Sequence, residues 1–136
     1  MLPDLEQIVV AHLRATSAVT ALTSNVGTRT PPSTDLPWVK ASLIHAQPDP
    51  SSPALHFASV LVQLDCYGGA NRELAQGQAS TLARTVQAAL NDMPGSHTGA
   101  VVTAVKTSGP RRIPDVDMKP ARERYIVTAD VSTHPA

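Results

Sequence analysis

A chain of 136 residues is about one domain by length, and it can bury roughly two-thirds of its unfolded surface. Its 11 Lys and Arg balance 11 Asp and Glu for a formal net charge of +0, and a protein that grips many phosphates carries a basic excess, so tight DNA or RNA binding is disfavoured. One cysteine, Cys66, excludes an intramolecular disulfide and any multi-cysteine zinc site.

The opening stretch MLPDLEQIVV carries acids where a secretory signal carries positive charge. No apolar run approaches the ~20 residues that span a bilayer. The expectation is a soluble protein made in the cytoplasm, with no membrane contact. Trp38, Phe57, Tyr67 and Tyr125 are the aromatics. Packing therefore rests on Ala, Val and Leu, which bury less area per residue than rings, and such a thin core gains from a partner subunit.

Pro3 and Asp4 start a first helix, since proline suits the first turn and acids complement the helix dipole. Leu5, Ile8, Val9 and Leu13 continue it at helical spacing, with Val19 and Leu22 beyond a break at RATS. A turn-rich loop follows, with a short strand around residues 26–30. WVKASLIHA alternates as a strand, Val39, Ala41 and Leu43 opposite Trp38, Lys40, Ser42 and Ile44. The proline-rich QPDPSSPA cannot pair through a sheet interior.

Residues 56–67 form a long strand. Ala58, Val60, Val62, Leu64 and Cys66 share one face; Ser59, Gln63 and Asp65 share the other with Phe57, Leu61 and Tyr67. Gly68 and Gly69 end it, Asn71 caps a second helix, and Leu74, Leu82, Val86, Ala89, Leu90 and Met93 form that helix's buried face. Ala75, Ala79 and Ala83 permit close approach. Pro94 and Gly95 end the helix. AVVTAVKTS and ERYIVTADVST are two further strands, with GPRRIPDVDMKPAR as an exposed excursion between them. The expected fold is α+β: one domain over residues 1–136, a mainly antiparallel sheet with two helices packed on one face.

Chemical readings find little support. The string CYGGANRELA lacks the lysine of a Walker loop and the third glycine of a dinucleotide fold, and Glu73 in the first helical turn is unfriendly to an anion. Cys66 points with Val62 and Leu64 and reads as a small core hydrophobe. His12, His45, His56, His97 and His134 lack metal-ligand spacing, and no nucleophile elbow is present. Neither a catalytic residue, a metal site nor a cofactor is expected. What remains is surface. Lys106, Arg111, Arg112, Asp115, Asp117 and Lys119 mark either a solvated charged loop or a docking loop. Trp38 is either a lid on the core or an anchor for a subunit contact.

The order of LPWVKASL, VLVQLDCYGGANRELAQGQASTLARTVQAAL, RRIPD and RERYIVTADVSTH resembles the tail terminator (tail completion) proteins of long-tailed bacteriophages. In that family a Val-x-x-Asp-x-Tyr-Gly string, here residues 62–68, feeds a helix carrying Arg72 and Ala75. The final strand carries Arg124, Tyr125, Ile126 and Val127 in the family's pattern. The resemblance implies a virion protein that works by assembly and makes or breaks no bond. It implies a ring, usually of six copies, on the last ring of the major tail tube protein. That ring stops tube growth and presents a surface to the head-completion (stopper) protein, while DNA passes through the lumen without tight binding. On that reading the segment 106–119 meets tube or neck partners and the region of Trp38 lies at the ring interface. Another head–tail connector, or a small non-viral binding domain, is the alternative.

Overall fold

The computed structural model describes residues 4–32, 35–48, 58–97, 99–118 and 120–135. Asp4 caps the first helix, α1 (Leu5–Ala15), its carboxylate accepting from Gln7 N at 3.2 Å. Thr16 closes it, Oγ1 donating to His12 O at 2.8 Å, and a single-turn α2 (Ser17–Thr20) follows. The expected break at RATS is therefore real: Thr16 takes an extended conformation between the two pieces. Then come β1 (Val26–Gly27), β2 (Trp38–Pro48) and β3 (Ala58–Tyr67), the long helix α3 (Arg72–Asn91), and β4 (Gly95–His97), β5 (Ala100–Arg112) and β6 (Arg124–Pro135).

The six strands form one sheet in the order β1-β2-β3-β6-β5-β4, with only β1–β2 parallel. Alternation decides which side chains face the helices. Val60, Val62, Leu64 and Cys66 of β3 and Val127, Ala129 and Val131 of β6 are all 3 % exposed or less. Onto them pack Val9 and Leu13 of α1 and Leu82, Val86 and Leu90 of α3. Ala79 and Ala83 are fully buried, and their short side chains let α3 lie close to the sheet. The α+β architecture with helices on one face is as expected from sequence.

Four details differ. Leu74 does not join the buried face: it is 55 % exposed, because the stripe Ala75, Ala79, Leu82, Ala83 and Val86 runs one helical step away from it. Gln47 and Pro48 do pair, with Ser59 and Ala58, which proline tolerates because β2 has no outer neighbour at that end among the described residues. Gly95 and His97 belong to β4, where a helix end alone was expected. β5 runs four residues past Ser108, through Gly109 and Pro110 to Arg112, so the excursion between β5 and β6 is shorter than its proline content suggests. Gly109 makes this turn of register with φ +101, in the left-handed region where glycine is strain-free. Pro3, His56, Phe57 and most of QPDPSSPA lie outside the described residues.

Candidate functional site

The diglycine corner between β3 and α3 is the natural place to look for an anion. Its amides are already engaged. Gly68 N donates to Glu123 O at 3.1 Å, Gly69 N to Gln78 Oε1 at 2.9 Å, and Ala70 N to Asp35 O at 2.9 Å. Asn71 accepts from Glu73 N at 3.1 Å and caps α3. A Cβ on Gly68 would collide with the Ala75 backbone, so the corner is glycine for closeness of packing. It is a structural turn, and no ligand is needed to explain it.

Cys66 is fully buried, and burial together with the neighbouring Asp65 pushes its thiol well above the ordinary range. His12 and His97 each set a ring nitrogen 2.7 Å from a carbonyl near the end of α3, those of Ala89 and Met93, and their rings meet edge to face at 5.7 Å. Among the described residues no group of three or more His, Cys, Asp or Glu is placed to hold a metal ion.

The charged segment after β5 is braced rather than loose. Arg111 and Arg112 are strand residues, paired with Ile126 and Tyr125 of β6. Arg112 grips both carboxylate oxygens of Glu123, at 3.0 and 2.7 Å, and this bond and charge hold Glu123 below the usual carboxylate range. Asp115 and Arg122 exchange backbone hydrogen bonds at 2.8 and 3.1 Å. Asp115 also accepts from Tyr67 Oη at 2.9 Å and lies 3.7 Å from Arg124 Nη1, which in turn lies 3.9 Å from Asp65. Arg124 Nε donates to Ile113 O at 2.9 Å. Burial and then the bond to Asp115 push the Tyr67 phenol up to about 12.

The residues expected to meet partners therefore separate. Asp115 and Arg112 spend their charge inside the subunit, because the sheet ladder brings Glu123, Tyr67 and Arg124 against them. Lys106, Arg111 and Asp117 remain exposed. Lys119 lies outside the described residues. Trp38 is 0 % exposed, stacked on Tyr67 with ring centroids 4.2 Å apart and planes 7° from parallel. Its indole is a core group of the subunit, the lid of the two readings given above. Trp38 Nε1–H has no acceptor among the described residues, a cost of about 1–3 kcal/mol that burial of so large a ring system outweighs.

Beside Trp38 lies a feature that sequence reasoning missed. Leu22, Leu36 and Leu74 are 40, 62 and 55 % exposed and line one groove of about 660 Å3, with Pro37, Gly77 and Leu82. Three separate segments converge there, so no periodicity could reveal it. Leu36 within the quoted LPW string was its only hint.

Comparisons with known proteins place the chain. A family model for tail completion protein gp17 matches residues 7–133. A chain from the solved structure titled virion of native gene transfer agent (GTA) particle has the same fold, with a TM-score of 0.56 at 19% identity over 94% of each chain. Among curated proteins none matches. With the family model spanning nearly the whole chain, from within α1 into β6, this protein belongs to the tail completion protein gp17 family, and it is a structural component of a virion tail rather than an enzyme.

Proposed function

We propose that copies of this chain form a ring, with six the expected number, on the end of the tail tube, where they halt tube growth and offer a surface to the head-completion protein. The observation that carries this reading is the family match over residues 7–133. Other features support it. A net charge of +0 suits a ring through which DNA slides, since few counterions are released by passing phosphates. The exposed leucines beside Trp38 suit a subunit whose surface is completed by neighbours. Exposed Lys106, Arg111 and Asp117, with Lys119, are the contacts proposed for tube or neck partners.

Deleting the chain from particle assembly tests the reading. The expected products are tubes of irregular length and heads without tails, visible by negative-stain microscopy. Tubes of normal length joined to heads overturn it.

A further inference from the structure

Among the described residues the sheet ends on two edges that other strands leave largely uncovered. β1 covers β2 only at Val39 and Lys40, and β4 covers β5 only at Ala100, Val101 and Val102. Among the described residues no strand lies outside the rest of either.

On β2 the outward direction can be assigned residue by residue. Val39 N donates on that side to Asn25 O at 2.8 Å, and Leu43 N to Glu6 Oε2 at 2.8 Å. Strand groups repeat every two residues, so Ala41 shares this direction. The irregularity at Ile44 inserts one residue, and the pairs Ala46–Val60 and Pro48–Ala58 continue the outward set beyond it. On β5 the regular stretch is 104–108, in unbroken register with β6 and bounded by irregularities on either side. Hydrogen-bonding groups along a strand edge are matched in full by another strand, for which Leu43 N exchanges the Glu6 carboxylate for a backbone carbonyl.

The directions of the two edges fit each other. β2, β3, β6 and β5 alternate, so β2 and β5 run oppositely. Rotating one subunit onto the next without inverting the sheet sets β5 of the first antiparallel to β2 of the second. Each subunit uses both edges once, and a closed ring leaves neither over. Leu43 and Ile44, 41 and 50 % exposed, lie at that seam.

The geometry points to a second copy of this chain as the partner of both edges: residues 104–108 of one subunit pair with residues 41–48 of the next, joining neighbouring sheets into one band. This inference rests on the ring reading and specifies its contact.

Cysteine pairs test it. Ala104→Cys and Ser108→Cys, neither of them a proposed tube or neck contact, are each combined in turn with Ser42→Cys, Ile44→Cys and Gln47→Cys, and the chain is oxidised mildly, free and after addition to purified tail tubes. Directly opposed residues on paired strands stand at Cβ separations of roughly 4.5–5.5 Å, close enough to reach disulfide geometry. Buried Cys66 does not compete. The expected result is a ladder of covalent multimers in the tube-bound fraction for at least one pair, and none in the free chain. Rings visible on tubes with no ladder from any pair overturn the edge contact and leave the ring standing; tubes without rings sink both. Amide exchange on the unsubstituted chain gives a second readout. Fast-exchanging amides within 104–108 are lost on incorporation, and an unchanged pattern in tube-bound rings overturns the contact.

Discussion

The indole of Trp38 lies flat on the ring of Tyr67, centroids 4.2 Å apart, and the same Tyr67 holds the segment after β5 through its 2.9 Å bond to Asp115. One aromatic pair therefore connects the start of β2, the end of β3 and the strap between β5 and β6. Truncation of Trp38 to alanine opens this junction and is expected to cost about 3–5 kcal/mol in urea unfolding. Tyr67→Phe keeps the stack and loses only the hydroxyl, so about 1 kcal/mol is expected. Equal losses for the two would show that stacking contributes nothing.

The raised phenol of Tyr67 makes an alkaline signature. The folded chain keeps a proton that the unfolded chain releases, from the ordinary value of 10 up to about 12. Stability from this group is thus complete below pH 10 and is lost as pH rises through the folded value near 12. Urea midpoints measured across that window should fall more steeply for the wild type than for Tyr67→Phe, by on the order of 1–2 kcal/mol overall. Parallel curves would refute it.

Two leucines separate core from surface. Leu64 is fully buried on β3, and Leu64→Ala is expected to destabilise by about 2–5 kcal/mol. Leu74 is 55 % exposed, and Leu74→Ala is expected to shift thermal stability by no more than about 0.5 kcal/mol. A larger effect at Leu74 than at Leu64 would place the helix stripe wrongly.

Glycines 68 and 77 should respond with opposite sign. A Cβ at Gly77 meets open space in the middle of α3, so Gly77→Ala should stabilise the isolated chain by about 0.5–1 kcal/mol. Gly68→Ala drives a methyl group into the Ala75 backbone and should destabilise. Melting temperatures of the two variants settle the matter, and movement in the same direction would contradict the packing at the corner.

Much of this was legible because local chemistry and global fold agree. The inward face of β3 is read directly from Val60, Val62, Leu64 and Cys66, and Asn71 announces α3. Where the reading failed, tertiary context had overridden a local signal. Gly109 and Pro110 look like the end of a strand, yet β6 carries pairing past them to Arg111 and Arg112. β4, at three residues, is too short for any period to register. Charged Asp115 looked free because its partners Tyr67 and Arg124 lie far away in sequence. For Trp38 alternation left a core lid and a contact anchor both open, because it lies off the helix-covered cluster, and only its stack on Tyr67 shows that it is sealed.

Charge reversal at the exposed Arg111 tests the partner surface. Arg111→Glu should leave folding within about 0.5 kcal/mol of wild type and reduce incorporation into particles. Arg112→Glu is a different experiment, since it sets two carboxylates together and breaks the grip on Glu123. That grip is lost as pH falls through the lowered Glu123 value, so the difference between Arg112→Glu and wild type should shrink in acid. Particles that incorporate Arg111→Glu normally would remove this residue from the docking surface.

Sealing the chain's one thiol inside the sheet gives it a built-in gauge. A thiol-reactive dye has no route to Cys66 while β3 stays packed, so the rate of dye uptake counts openings of the subunit. Measured in free protein and again in whole particles, that rate reads how far incorporation locks the subunit shut, with no engineered residue required.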